Sequence, residues 1–395
     1  MLRTTLRFAC ALALALTLTF STFSGEKVSP NADKLAEALG VIITPLTARS
    51  WNSATAEHYA NTMLTSLSTQ RLFVGTMPSI ADYSQTAHMT GSLNGNSFCD
   101  ASGSSRWVMW DTPFATRERQ RRDDGYLGYN YTTSGFATGL SRLIGDSSAI
   151  GLAVGYDYRK QDGRNDYYMK DRADAFHAAL YGGTSIGCFF FDAYAGYSRA
   201  WHRSKRQMEQ TLSPIVNSGN FNDTILSAGV KATYVWILPN EMRVTASAGL
   251  DYSHVSLDGF HEKSLTGPTN ATLLRVRDSS YDALRLPIMV SANKTFTSNF
   301  LKFGGVCSLW TPEVRAGWVP QFGARRAEVG ANFNYPGTNV NFKSNSADRG
   351  TSYGTIGAGV KLKLKDKYIF ALDYDLNYRS KNTQHVLTAA YGVSF

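Results

Sequence analysis

The last nine residues, Leu387–Phe395, constrain the fold more than any other stretch of the chain. Leu387, Ala389, Tyr391, Val393 and Phe395 fall on one face of a strand. Thr388, Ala390, Gly392 and Ser394 fall on the other, because strand side chains alternate with period two. One face is apolar with aromatics, the other small or polar. That pattern suits the closing strand of a membrane barrel, whose outer face meets lipid and whose closure leaves no unpaired edge in hydrocarbon. The rival is a buried terminal strand of a soluble sheet, and the rest of the chain decides between them.

The same alternation recurs upstream. Met242, Val244, Ala246, Ala248, Leu250 and Tyr252 alternate with Arg243, Thr245, Ser247, Gly249, Asp251 and Ser253. Ile356 to Leu364 alternates apolar residues with Gly357, Gly359, Lys361 and Lys363, and Tyr368 to Tyr378 does so with Asp373, Asp375 and Asn377. Twelve such runs start near Arg106, Tyr126, Ser148, Arg172, Cys188, Asp223, Glu241, Ser280, Val306, Thr351, Lys367 and Thr383; the first two alternate poorly. Short connections (Gly145-Asp-Ser, Thr184-Ser-Ile-Gly, Leu238-Pro-Asn, around Asn299, Lys365-Asp-Lys) interleave with connections that are often long, such as 202–222, 256–276 and 321–350. A soluble sandwich has no need to sort its turns by length, whereas an outer-membrane barrel has short periplasmic turns and longer external loops. The expected fold is therefore all-β: a twelve-stranded antiparallel transmembrane barrel over 105–395, with Phe395 on the periplasmic side. With 18% charged residues, 34 Gly and 21 Tyr, the chain is too polar for buried helical spans, and no stretch after the N-terminus approaches the ~20 apolar residues such a span needs.

Residues 1–24 have the basic start, apolar middle and small-residue end of a secretory signal peptide, so the mature chain is expected to begin near Gly25. Between 25 and 104, residues 54–73 predict a helix with Ser53 as N-cap. At ~1.5 Å per residue it is about as tall as a barrel wall. Its Ala, Thr, Ser, Asn and Gln suit a narrow wet lumen; a periplasmic or surface helix is the alternative. Asp33–Leu39 predicts a second short helix, and the polar residues 76–104 predict a linker. The net charge of +9 is dispersed, and export argues against nucleic acid, which assigns the cations to the lumen or to a lipopolysaccharide-facing rim. Cys99, Cys188 and Cys307 lack metal-ligand spacing and read as small buried fillers, or as a structural disulfide.

Candidate chemistry is weak. Gly183-Thr-Ser-Ile-Gly187 matches G-x-S-x-G, but in a turn between strands rather than in a strand–turn–helix elbow. His202-Arg-Ser204 brings a base and a hydroxyl close at the start of an expected external loop. Asp192, Asp251, Asp373, Asp375 and Glu313 face the expected lumen with Lys231, Arg243, Arg285, Arg315, Lys361 and Lys363; mixed charges there read as ladders that stiffen the wall rather than as acid–base machinery. His177 reads as a polar lumen group, since one His without a second ligand is no metal site.

Residues 105–395 resemble the autotransporter β-domain, the twelve-stranded translocator of type V secretion. The stretches that carry the resemblance are Gly135-Phe-Ala-Thr-Gly-Leu140, Ile150-Gly-Leu-Ala-Val-Gly-Tyr156, Phe176-His-Ala-Ala-Leu-Tyr-Gly182, Phe191-Asp-Ala-Tyr-Ala-Gly-Tyr197, Pro312-Glu-Val-Arg-Ala-Gly-Trp318, Tyr353-Gly-Thr-Ile-Gly-Ala-Gly-Val360 and Ala390-Tyr-Gly-Val-Ser-Phe395, in that order. The ending also resembles the C-terminal signature of outer-membrane proteins that the barrel-assembly machinery reads. The resemblance implies a pore-threading helix, for which 54–73 is well placed, and a secreted passenger upstream. Here only residues 25–53 precede that helix, without Gly-rich repeats, and no Asn-Asn pair offers an internal cleavage site. The reading is an outer-membrane translocator barrel with little or no passenger of its own, no catalytic, cofactor or metal site, and Tyr391, Val393 and Phe395 as assembly signal. Its expected surroundings are outer-membrane lipid, lipopolysaccharide and the assembly machinery, and it is expected as a monomer. The alternatives are a porin-like or adhesin-like barrel acting through its lumen or external loops, and a barrel enzyme.

Overall fold

The computed structural model describes residues 30–39, 55–81, 107–122, 126–145, 147–164, 169–208, 215–239, 242–266, 272–303, 306–333, 341–364 and 368–394. The expected signal peptide, Ser53, Cys99, most of the expected linker and Phe395 lie outside the described residues, as does the side chain of Cys307.

Helices α1 (Pro30–Leu39) and α2 (Glu57–Gly75) come first. Strands β1 (Trp107–Gln120), β2 (Tyr129–Ile144), β3 (Ser148–Gly163), β4 (Met169–Ile186), β5 (Phe189–Met208), β6 (Ile215–Ile237) and β7 (Met242–Leu257) form an antiparallel meander. Three short strands follow: β8 (Phe260–His261), β9 (Lys263–Ser264) and β10 (Leu274–Val276). The wall resumes with β11 (Ser279–Arg285), β12 (Ile288–Lys294), β13 (Phe296–Phe303) and β14 (Val306–Phe322). After β15 (Glu328–Phe333) and β16 (Asn341–Asn345), it is completed by β17 (Ser352–Leu364), β18 (Tyr368–Tyr378) and β19 (Asn382–Ser394). Strands β11, β12 and β13 are one wall strand running along β14, interrupted at Pro287, which has no N–H for the ladder, and again at Thr295. The wall is a closed barrel of twelve antiparallel strands, as the alternation predicts. Strand β19 closes it on β1, from Val108↔Ser394 at one end to Gln120↔Asn382 at the other.

Parity sorts the faces. Leu152, Leu180, Leu226, Val230, Leu250, Val314, Ile356 and Leu372 are exposed on the outside, an apolar surface fit for lipid. Asp157, Arg159, His177, Ser198 and Asp223 point inward and are buried. The end that carries residues 108 and 394 has tight turns. Gly145 (φ 61°) and Gly187 (φ 60°) occupy the left-handed region in two of them, which residues with a Cβ rarely adopt. Cys188 stands in the second of these turns, exposed, and not as the buried filler the sequence suggested. A two-residue reversal at the rim has no interior to offer it.

The opposite end corrects three sequence expectations. Strands β5 and β6 extend through most of 202–222, pairing up to Met208↔Ile215. Stretches 256–276 and 321–350 are not plain connections. They form a second sheet in the order β16-β15-β10-β8. This cap shares one apolar core with both helices and the wall, in which Leu35, Tyr59, Met63, Ile225, Val255, Val329 and Phe333 are all buried.

Candidate functional site

Helix α2 fills one side of the lumen. Its first residue, Glu57, is bonded by the backbone N–H of Leu127 in the β1–β2 loop, at the long-loop end. The chain leaves the helix at the short-turn end, where Asp192 accepts from Ser79 Oγ (2.6 Å) and from the Ile80 N–H (2.7 Å). The sequence expected 54–73; the helix runs 57–75, and its N-cap is Ala56, which makes no side-chain cap bond. Tertiary contact replaces the cap: the Ala56 N–H donates to Ser344 Oγ of β16 at 3.0 Å.

The helix is buried around most of its circumference although many of its residues are polar, so each polar side chain needs a partner on the wall. Thr65 Oγ1 donates to Gln161 (2.9 Å), Gln70 Nε2 to Ser227 (2.9 Å), and Thr69 bonds to Tyr131. Arg159 and Arg349 donate to Ser66 (2.9 Å) and Ser68 (2.7 Å). Phe73 lies over Gly155, where a Cβ would meet its ring at 2.9 Å, and stacks on His177 with centroids 4.8 Å apart. A bare glycine on the wall makes room for the helix.

Buried charges join wall, helix and cap. Arg206 of β5 forks onto Glu262 of the cap (3.0 and 2.5 Å), and Tyr59 of α2 donates to the same carboxylate at 2.7 Å. Arg349 holds Glu118 at 2.7 Å. His202 is not at the start of an exposed loop. It is buried in β5 between Asp171 (2.8 Å) and Asp223 (3.0 Å), and Ser204 faces His58 at 3.0 Å. Ser198, His177 and Asp157 follow the order of a hydrolase triad. However, Gln70 Oε1 accepts from Ser198 and covers it, so no substrate carbonyl reaches that hydroxyl. Ser185 of the G-x-S-x-G stretch bonds to the backbone of Ser147 in a turn. Among the described residues no group of His, Cys, Asp and Glu has a metal-holding arrangement.

The other side of the lumen is a cavity of about 590 Å³ between α2 and strands β14, β17, β18 and β19. The expected charge ladder lines it: Arg315 is held by Asp373 and Asp375, each at 2.7 Å. Asp251 pairs with Arg285 (3.2 Å) and Asp192 with Lys231 (3.3 Å). Sequence reading missed Glu57, Asp157, Arg159, Arg206 and Glu262. Strand parity marks Asp157, Arg159 and Arg206 as inward; nothing local marks Glu57 or Glu262.

Glu57 gives the docked N-terminal region a pH dependence. Burial pushes its carboxyl from the ordinary 4.5 up to about 8, against the Leu127 N–H, the Asn31 amide (2.8 Å) and the charges of Arg326 and Arg122. The raised value means that this contribution is fully present below 4.5 and is lost as pH rises through about 8. The slope is about 1.4 kcal/mol per pH unit within that window. Proteolysis of the N-terminal region in the folded barrel is expected to accelerate across it. Glu57→Gln should flatten the profile; an unchanged profile in that variant would contradict the assignment.

Over residues 109–375 the chain matches the family described as the autotransporter beta-domain. Outer membrane protein A of Rickettsia rickettsii is 25% identical over 291 residues, which cover 70% of this chain and 12% of that protein. Outer membrane protein B of Rickettsia japonica is 25% identical over 297 residues, 73% of this chain and 17% of that protein. The chain thus spans only a small part of these curated relatives. Among solved structures, the translocator domain of autotransporter NalP from Neisseria meningitidis superposes with a TM-score of 0.58 at 11% identity, covering 74% of this chain and 89% of that one. The beta domain of the Bordetella autotransporter BrkA does so at 0.53 and 15%, covering 73% and 100%.

Proposed function

The chain belongs to the autotransporter β-domain family of outer-membrane barrels, and from that premise we propose that this barrel is a translocator in its plugged state, after a segment has passed outward. The observation that carries the proposal is the direction of α2, from Glu57 under the cap to the short-turn end at Asp192. With the short turns in the periplasm, whatever precedes α2 lies outside the cell, and α1 on the cap is part of it. In this reading the barrel is passive: no catalytic role is assigned to its described residues, and folding of wall and cap supplies the energy, since no nucleotide is available outside the inner membrane. An epitope inserted just ahead of Pro30 is expected to bind antibody on intact cells. Detection only after permeabilisation would overturn the reading.

Beyond membrane lipid, lipopolysaccharide fits the outer rim, where Arg203 and Lys205 are exposed near the long-loop end. The barrel-assembly machinery would read Tyr391, Val393 and Phe395, and the barrel would act as a single copy. Tyr391 is anchored on the barrel surface by Phe370, with ring centroids 5.1 Å apart. Deleting Phe395 is expected to cut the amount of heat-modifiable barrel in outer-membrane fractions severalfold. Wild-type amounts in that deletion would sink the assembly role.

A further inference from the structure

We propose that the lumen cavity binds a phosphate- or sulfate-type oxyanion between Arg71 of α2 and the wall residues Arg285 and Arg379. The argument starts from charge pairing. The carboxylates that line the cavity are already engaged: Glu118 by Arg349, and Glu313, Asp373 and Asp375 by Arg315. Arg285 uses Asp251. Arg71 and Arg379 have no carboxylate among the described residues.

Arg71 is the more exceptional of the two. Its Nε and Nη2 are buried and have no hydrogen-bond partner among the described residues, and Arg285 Nε is in the same condition. The charges that act on Arg71 include those of Arg285 and Arg379, both of the same sign. Arg379 donates to the backbone oxygen of Arg349 (3.1 Å) and lies over the ring of Tyr353 at 4.5 Å; Arg285 donates to the Tyr353 hydroxyl at 3.0 Å. Three guanidinium groups thus converge on one cavity around a tyrosine, two of them with idle donors. Water could satisfy those donors but would leave the repulsion. An oxyanion answers both, because a guanidinium fork matches two oxygens of a tetrahedral anion.

Access is from the short-turn end, since the cavity lining extends to Tyr391 and Gly392. Arg71 belongs to the plug and Arg285 to the wall. A bound oxyanion therefore ties the plug to the barrel, and occupancy favours the closed state. Two sources share this chemistry: free inorganic phosphate, and the phosphate monoester of a headgroup fragment.

The test is calorimetric titration of the full mature chain, refolded in non-ionic detergent at constant ionic strength, with sodium phosphate in one arm and glycerol phosphate in the other. Saturable one-site binding is expected in the phosphate arm. Tighter binding in the second arm would assign the source to a headgroup. Arg71→Gln and Arg379→Gln should each weaken binding roughly tenfold or more, the loss of a charge-assisted contact. Lys34→Gln, at an exposed position of α1, should leave it unchanged. Arg71→Gln removes a repelled charge, so the barrel is expected to fold, and heat-modifiable migration on a gel checks this. Absence of saturable heat in both arms, or wild-type affinity in both arginine variants, would overturn the site.

Discussion

The refolded mature chain is expected to pass almost no current in a planar bilayer, while a chain lacking residues 25–74 is expected to conduct at a level higher by an order of magnitude or more. Helix α2 has 19 residues, or ~28 Å at ~1.5 Å per residue, close to the ~30 Å of bilayer hydrocarbon. It therefore blocks the lumen along its height. Beside it, Arg349 bridges helix and wall across the cavity, bound to Ser68 of α2 and Glu118 of β1. The deletion acts twice. It removes the plug, and it removes Leu35, Tyr59, Met63 and Leu64 from the core on which the cap rests. Equal conductance in the two chains would mean that an ion path exists past the helix, and would return the barrel to a porin-like reading.

Much of this was legible in the sequence, for a physical reason. Lipid outside and a polar lining inside impose a period of two on every wall strand, and β7, β17 and β18 carry it openly. The exceptions mark where that contrast fails. In β1 the inward residues include Val108, Trp110 and Phe114, which pack against the chain around Phe73 and Ile80 instead of facing water. An apolar inner face blurs the alternation, so β1 could be located but its register could not be read. The upper part of β6, from Ile215, was missed because Asn217, Ser218, Asn220 and Asn222 lie toward the long-loop end, where neither face needs to be apolar.

The cap was illegible for a different reason. Its strands run from two to six residues, too short to show a period. Its pairings are remote as well: Val276 meets Ala331 across a long stretch of chain. The lumen charges divide in the same way. Asp192, Asp373, Asp375 and Arg315 could be assigned from strand parity. Glu262 could not, because its role depends on a loop folding back over Arg206, which only the assembled core determines.

That joint carries the second large effect. Glu262 receives Arg206 from the wall, Tyr59 from the plug and the Leu274 N–H (2.8 Å) from the cap itself, with both charged side chains fully buried. Arg206→Met is expected to cost about 3–5 kcal/mol in docking of the cap, because it leaves a buried carboxylate without its countercharge. The loss should be local. The wall is held by backbone ladders that Arg206→Met does not touch, so heat-modifiable migration should persist while the cap and α1 become protease-sensitive. Glu262→Met should act similarly, by leaving the guanidinium unpaired. Combining the two removes both buried charges and fills the space with apolar atoms, so the double variant is expected to be more protected than either single one. Additive losses in that cycle, read by limited proteolysis, would show that the pair is not coupled and that Tyr59 and the cap core hold the joint without it. A wall that melts together with the cap would show instead that cap and barrel fold as one cooperative unit.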